Sequence, residues 1–366
     1  MLSLDRKNTY LSSTVALSLW LWGCGAPTGR ADGAVFDSGA GGHAGVAGAG
    51  ASGGAAGHEP GTGGAGGAGG VDAPPLIPAW AAWPMPNQPG AGLPNQQSYT
   101  VVEDMSGPSG VSAATVRDEV TGLVWQRDLV EERFTWQAAG AYCAALNLGG
   151  WDDWRLPSRI ELVSILELSK TNPSIDRVAF AGTRGEWHWT ASARAGDPGR
   201  AWAVYFYFGY PDTDVKELEF RVRCVRHPSS GTSGGAASPA ANQPRYDVQP
   251  DVVRDPRTRL TWQRTVSGDS LPLQAAVDYC AALTLGGQDD WRLPSLQEFQ
   301  TVVDEGRVEP AMDPQAFPGA PSAGFWSATR WAGTPELAWH VDFDTGSAAY
   351  DTATMLYRVR CVRADP

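Results

Sequence analysis

The residues whose types could do chemistry come in matched sets. Asp152-Asp153-Trp154-Arg155-Leu156-Pro157-Ser158 recurs as Asp289-Asp290-Trp291-Arg292-Leu293-Pro294-Ser295, an offset of 137. Adjacent carboxylates can serve acid–base chemistry or offer oxygens to a hard cation. Their surroundings favour a structural role, because Trp, Leu and Pro in the motif suit packing. Ser158 with Glu161, and Ser295 with Glu298, have the Ser-x-x-Glu spacing of a capping box. Arg155 and the Asp pair are expected to hydrogen-bond and fix the loop ahead of that helix. A second acidic candidate is Tyr210-Pro211-Asp212-Thr213-Asp214. Asp212 and Asp214 could reach one calcium ion. The offset partner, Ser347 to Asp351, keeps one acid, so a solvated loop is the simpler expectation. Calcium is the one candidate ion; otherwise no cofactor is expected.

Four cysteines follow the same offset. Cys143 and Cys224 are 81 apart, as are Cys280 and Cys361. The repeat argues for one disulfide within each copy, with free buried thiols as the alternative. A loop of that size gives roughly 4–5 kcal/mol in the chain-entropy model. No Cys-x-x-Cys or Cys/His metal spacing occurs, so no zinc site is expected. Within the copies the histidines are His188 and His340, whose offset partners are Phe325 and Ala203. No shared His-based triad exists. Gly-x-Ser-x-Gly occurs only in Gly/Ala-rich stretches, outside the strand-to-helix setting of a nucleophile elbow.

The positioning elements repeat without a gap from Arg117 to Arg226. Trp125, Trp189, Trp202 and Phe206 return as Trp262, Trp326, Trp339 and Phe343. A period this long means two whole domains, not a solenoid. Thr135 opens a helix running to Asn147, with Trp136, Ala139, Cys143 and Leu146 on its buried stripe. Gly149-Gly150 ends it. In the second copy Pro272 stands near the equivalent helix start. A second helix is expected from Arg159 to about Leu168. The last third reads as strands. Trp202, Val204, Phe206 and Phe208 alternate as one buried face. That leaves Ala203, Tyr205 and Tyr207 facing solvent in copy one, and His340, Asp342 and Asp344 in copy two. The closing strand alternates Phe220, Val222 and Cys224 inward with Arg221 and Arg223 outward.

Residues 1–24 read as an export signal. Arg6 and Lys7 precede an apolar run too short to span a bilayer. Leu21-Trp22-Gly23-Cys24 resembles a lipobox, making Cys24 the lipidation candidate and lipid the only expected membrane anchor. Residues 25–75 are Gly/Ala-rich and too poor in large apolar side chains to order. Such a tether has a reach of roughly 40 Å. Residues 76–98 form a Pro- and Trp-bearing connector that either packs on the first domain or stays extended. The first domain is assigned to 99–228, a short linker to 229–243 and the second domain to 244–366. The linker is expected to keep the domains near one another without fixing them rigidly. A net charge of −12 repels phosphate backbones, so nucleic acid is not an expected partner.

Taken together, Trp-Gln-Arg, Cys-Ala-Ala-Leu-x-Leu-Gly-Gly, Asp-Asp-Trp-Arg-Leu-Pro-Ser-x-x-Glu and Arg-Val-Arg-Cys-Val-Arg resemble the Lcl C-terminal domain family over Arg117–Arg226 and Arg254–Arg363. That family occurs in secreted bacterial proteins, one of them a collagen-like adhesin that binds sulfated glycosaminoglycans. The helix-to-last-strand cysteine pairing is similar to that of C-type-lectin-like domains. The resemblance therefore implies an α+β fold: two tandem C-type-lectin-like domains, each with two helices and a small antiparallel sheet. Gln249-Pro250-Asp251 matches a calcium-lectin triplet in letters but lies upstream of the matched span, with no Trp-Asn-Asp after it. The acidic chain argues against a sulfated ligand.

Three functions are compatible with these residues. The favoured one is a lipid-anchored binding or adhesion protein at the cell envelope, whose partner is an extracellular glycan or a surface protein. Tyr205 and Tyr207 would be its contact residues, with Asp212 and Asp214 beside them. Formylglycine-generating enzymes share the fold and an Arg-Leu-Pro-Thr-x-x-Glu segment, which makes a catalyst the alternative. Their chemistry needs a reactive cysteine, which disulfides would remove. The third reading is a structural envelope or matrix protein.

Overall fold

The computed structural model describes residues 80–103, 114–227 and 245–365. The export signal with Cys24, the segment 25–75 and the linker 229–243 lie outside the described residues. No helix among the described residues is long and apolar enough to cross a membrane.

Both copies follow one plan. Copy one runs β1 (Tyr99–Val102), β2 (Thr115–Asp118), β3 (Val124–Gln126), α1 (Trp136–Ala144), α2 (Arg159–Ser164), β4 (Trp187–Ala193), β5 (Arg200–Tyr205), β6 (Tyr210–Val215) and β7 (Val225–Arg226). Copy two runs β8 (Asp247–Val248), β9 (Val252–Asp255), β10 (Leu260–Gln263), α3 (Leu273–Ala281), α4 (Leu296–Gln300), β11 (Gly324–Arg330), β12 (Leu337–Asp342), β13 (Ser347–Thr352) and β14 (Val362–Ala364). Each copy holds a four-stranded antiparallel sheet, β1-β2-β3-β7 or β8-β9-β10-β14, and a three-stranded one, β4-β5-β6 or β11-β12-β13. The last strand of each copy returns beside the third, at the edge of the sheet opposite the first strand. Disulfides Cys143–Cys224 and Cys280–Cys361 join the first helix to the run into that last strand, with Cα atoms 5.5 Å apart in both. All four domain cysteines are thereby oxidised, and none is a thiol.

The helices are short for different reasons. α1 ends at Ala144, short of the expected Asn147; its Ala139 and Cys143 are buried, while Trp136, and Leu146 beyond its end, are only partly so. The second helix ends at Ser164, well before the expected Leu168, and all six of its residues are buried. A helix buried all round shows no amphipathic stripe, so periodicity could not set its end. Its start was legible. Ser158 accepts from Glu161 N–H, and Glu161 accepts from Ser158 N–H at 2.8 Å. The same reciprocal cap opens α4 at Ser295 and Glu298.

The expected outward arginines of the closing segment are buried instead. Arg223 and Arg360 are fully inaccessible, and each Nη1 donates to two backbone carbonyls of its own third-strand region. Phe180 and Phe317 lie under their guanidinium groups, at 4.9 and 4.5 Å. The planar guanidinium satisfies carbonyls that the irregular chain leaves unpaired, which alternation of residue type cannot reveal.

The two copies are also not loosely hung. One hydrophobic core joins Ile160, Leu162, Val204 and Phe206 of copy one with Phe299, Val303, Trp339 and Phe343 of copy two. Across the junction α2 meets α4 and β6 meets β13. Like meets like, as at a two-fold interface. The connector belongs to this shared core as well. Ala81, Trp83 and Met85 are buried in it. Asn87 Oδ1 accepts from Ser295 Oγ at 3.0 Å, and Gln97 Nε2 donates to the carbonyls of Ser164 and Leu166. Fully burying such apolar side chains stabilises by about 1.5–3 kcal/mol each.

Candidate functional site

Backbone register decides which side chains share a sheet face. In copy one, Trp187 pairs with Tyr205, Tyr205 with Tyr210, Ala203 with Asp212 and Ala201 with Asp214. Directly paired residues point to the same side. One face therefore carries Ala201, Ala203, Tyr205, Trp187, Tyr210, Asp212 and Asp214.

That face is not open along its whole length. Ala201 and Ala203 are buried beneath the cluster of Ala139, Cys143, Trp189 and Cys224. The opposite face, with Trp202 and Val204, is buried too. The expected solvent face thus survives only at its Tyr205 end, because α1 and the disulfide cover the rest. Beyond Tyr205 the chain turns through Phe206, Tyr207, Phe208 and Gly209. Phe206 enters the core, while Tyr207 stays 36 % exposed. Gly209 has φ of +86°, and a Cβ there would lie 2.6 Å from the Leu168 side chain. Only glycine allows this close a turn.

The result is a run of rings. Trp187 stacks on Tyr205 at 4.7 Å, and Tyr205 on Tyr207 at 5.9 Å. Phe208 meets Tyr207 edge-on at 4.5 Å. Phe208 then packs on Trp331 of copy two at 4.7 Å, and Trp331 on Tyr350 at 3.8 Å. Tyr350 is 39 % exposed. Tyr210 adds an edge contact to Trp187 at 5.5 Å. Burial, and next Asp212, push the Tyr210 hydroxyl up to about 12.

Asp212 is exposed and Asp214 half-buried, but not in the expected loop; both lie on β6. Each Oδ1 accepts the N–H of the following residue, at 2.7 and 2.8 Å. Edge-strand pairing with β5 imposes the extended conformation that the Pro/Asp/Thr composition conceals. Among the described residues, no group of three His, Cys, Asp or Glu side chains is arranged to hold a metal ion. Two carboxylates alone fall well short of the six to eight oxygens that calcium takes.

Copy two builds something different at the matching place. Gly324 replaces Trp187, and a Cβ there would lie 2.5 Å from the Tyr357 ring. Tyr357 fills the space, stacks on His340 at 4.2 Å and donates to Asp351 Oδ2 at 3.1 Å. His340, expected at the surface, is 8 % exposed, and burial lowers its pKa.

The repeated acidic motif is a brace. Arg155 donates to both oxygens of Glu161, at 2.7 and 2.6 Å, and Arg292 does the same to Glu298. The arginine thus pairs with the capping glutamate. Asp153 takes Arg226 at 2.6 Å, and Asp290 takes Arg363 at 2.6 Å. Trp154 and Trp291 donate from Nε1 to carbonyls of the preceding turn. Asp152 and Asp289 remain exposed. A groove of about 620 Å3 runs between α1 and this motif. Of its charged members, Asp153 and Arg155 are already paired, which leaves Asp152 alone rather than a converging set of charged groups.

Trp187, Trp331 and Tyr350 were not singled out in the sequence, and Phe208, expected on a buried strand face, lies beyond β5 and is only partly buried, although a signal exists. Their offset partners are Gly324, Arg194, Thr213 and Thr345, none of them aromatic. Tyr205, Tyr207 and Tyr210 likewise face Asp342, Asp344 and Ser347. Aromatics that obey the repeat (Trp125, Trp154, Trp189, Trp202) are buried core. Seven of those that break it, Trp187, Tyr205, Tyr207, Phe208, Tyr210, Trp331 and Tyr350, collect in one partly exposed patch, while Phe134, Trp136, Trp151, Phe299 and Phe325 break it elsewhere.

A family-model comparison matches the Lcl C-terminal domain over residues 114–226 and again over 251–363, more than half of the chain. No curated protein matches it.

Proposed function

We propose that this chain, which belongs to the Lcl C-terminal domain family through both of its copies, is an exported binding protein whose ligand is a glycan. The observation that carries the reading is the gathering of seven repeat-breaking aromatic rings into one partly exposed patch. The shared fold does not require these rings, since the other copy folds without them. Rings with an apolar body and a hydroxyl tip suit sugars, which offer apolar C–H faces and hydroxyl edges. An apolar patch rimmed by polar groups is also a common mark of an interaction site. Asp212, beside the rings, is an acceptor for sugar hydroxyls. The net charge of −12 disfavours polyanionic glycans. Two disulfides fit an oxidising compartment outside the cytoplasm. Lipidation at Cys24 would anchor the protein at the envelope, placing the patch before extracellular glycans or surface proteins.

The test is a glycan array probed with the whole chain carrying Cys24→Ala, in calcium and in chelator. Binding is expected in both buffers, and is expected to disappear in the Tyr205→Ala/Tyr207→Ala variant while its circular dichroism and disulfides stay intact. A folded chain that binds no glycan would remove this reading and leave a surface-protein partner in front.

A further inference from the structure

We infer that the binding surface is composite, taking a linear, uncharged oligosaccharide that runs from the rings of copy one onto Trp331 and Tyr350 of copy two. The inference rests on the glycan reading above and adds the ligand's length and charge.

Continuity is the first argument. From Trp187 through Tyr205, Tyr207 and Phe208 to Trp331 and Tyr350, successive ring centroids are 3.8 to 5.9 Å apart. Phe208 is the crossing point, because it also lies 6.2 Å from Tyr350. The most exposed rings, Tyr207 and Tyr350, therefore flank one shared neighbour on opposite sides of the junction. A disaccharide can cover one of them, whereas a longer chain covers both.

Rigidity is the second. Trp331 packs on the buried Trp339, and Phe208 packs against the core that both copies share. Arg159 and Glu305 tie the copies together below the patch. The two halves of the row are thus held in a fixed relation before ligand arrives, which lowers the entropic cost of binding. Charge is the third. Asp212 and Asp214 stand on the same face as Tyr205 and Tyr210. They accept hydroxyl hydrogen bonds from neutral sugars and repel sulfates and carboxylates.

The experiment titrates the whole chain with cello-oligosaccharides and with N-acetylglucosamine oligomers, each from disaccharide to hexasaccharide. Affinity is expected to rise with length. Tyr350→Ala is expected to weaken hexasaccharide binding by about three- to tenfold, the scale of one lost aromatic contact, and to leave disaccharide binding unchanged. Tyr350→Phe, which keeps the ring, is expected to retain wild-type affinity. Tyr207→Ala should weaken every length. Equal affinity at all lengths, or a hexasaccharide indifferent to Tyr350→Ala, would confine the site to copy one and overturn the inference while the glycan reading stands. Failure of both series to bind the folded chain would overturn the inference, while the glycan array decides the broader reading.

Discussion

Arg159 of the first copy donates from Nε to Oε1 of Glu305 in the second at 3.0 Å, with both side chains almost wholly buried. Arg159 also donates from Nη2 to the Gln300 carbonyl at 3.1 Å and lies over the Trp202 ring at 5.2 Å. The repeat places Leu296 and Leu168 at the equivalent positions. The pseudo-symmetric junction is therefore ionic on one side and aliphatic on the other. Burial raises the Glu305 carboxyl, against the pull of Arg159.

Removing one partner leaves a buried charge alone. Arg159→Leu is expected to cost about 3–5 kcal/mol, and Arg159→Leu/Glu305→Leu to return close to wild type. Urea unfolding of the two single variants and the double completes the cycle. A double variant as unstable as the sum of the singles would contradict this.

Asp118 and Asp255 are offset partners, both fully buried. Asp255 Oδ2 accepts from Arg245 Nη2 at 3.0 Å. Asp118 Oδ2 has no hydrogen-bond partner among the described residues. Burial raises the Asp118 pKa to about 6, opposed by the N–H groups of Val120 and Thr121. A carboxyl with a raised native pKa binds its proton more tightly folded than unfolded. Its contribution is full below about pH 4 and is lost as pH rises past 6. Asp118→Asn keeps the acceptor for those N–H groups and removes the titration. It should raise stability at pH 7 by up to about 3 kcal/mol and change little at pH 4. Thermal melts across that range measure it.

Arg223 and Arg360 differ at one atom. Arg223 Nη2 donates to Thr183 Oγ1 at 2.6 Å. The offset partner of Thr183 is Ala320, and Arg360 Nη2 has no partner among the described residues. Ala320→Thr is expected to stabilise copy two by about 1 kcal/mol, seen as a higher Tm, and Thr183→Ala to destabilise copy one by about 1–3 kcal/mol.

Trp83 is 5 % exposed, within the shared core. Trp83→Ala should cost about 3–5 kcal/mol in chemical denaturation. A chain truncated to begin at Gln96 should lose at least as much, since it also lacks Met85 and Asn87. Unchanged stability in either would mean that the connector decorates the domains without supporting them.

Some of the repeat was concealed even though its residues are plain. Tyr99 packs edge-on to Phe180 at 5.1 Å, and Tyr246 to Phe317 at 5.5 Å. Tyr99 and Tyr246 are 147 apart, not 137, because copy one carries ten extra residues between its first two strands. A gapless offset misses them. Tyr205 and Tyr207 stack on each other and Asp212 lies on the sheet face of Tyr205, but Asp214 stands opposite Ala201 at the far end of β5, Ala203 is covered and His340 in copy two is buried. Alternation marks two faces of a strand without saying what lies over each.

By itself the sequence determined the parts whose cause is local or exactly repeated: two copies, a cysteine pair in each, and two capping boxes opening two helices. These follow from spacing, and spacing is visible in one dimension. Tertiary structure alone decided which strand face meets water, since α1 and the disulfide bring the cover from far along the chain. It also decided that two linked domains share one core, and that rings as distant as Tyr207 and Tyr350 flank the same phenylalanine. Those relations depend on how like elements meet across the junction, and no residue within one copy specifies the neighbour it finds in the other.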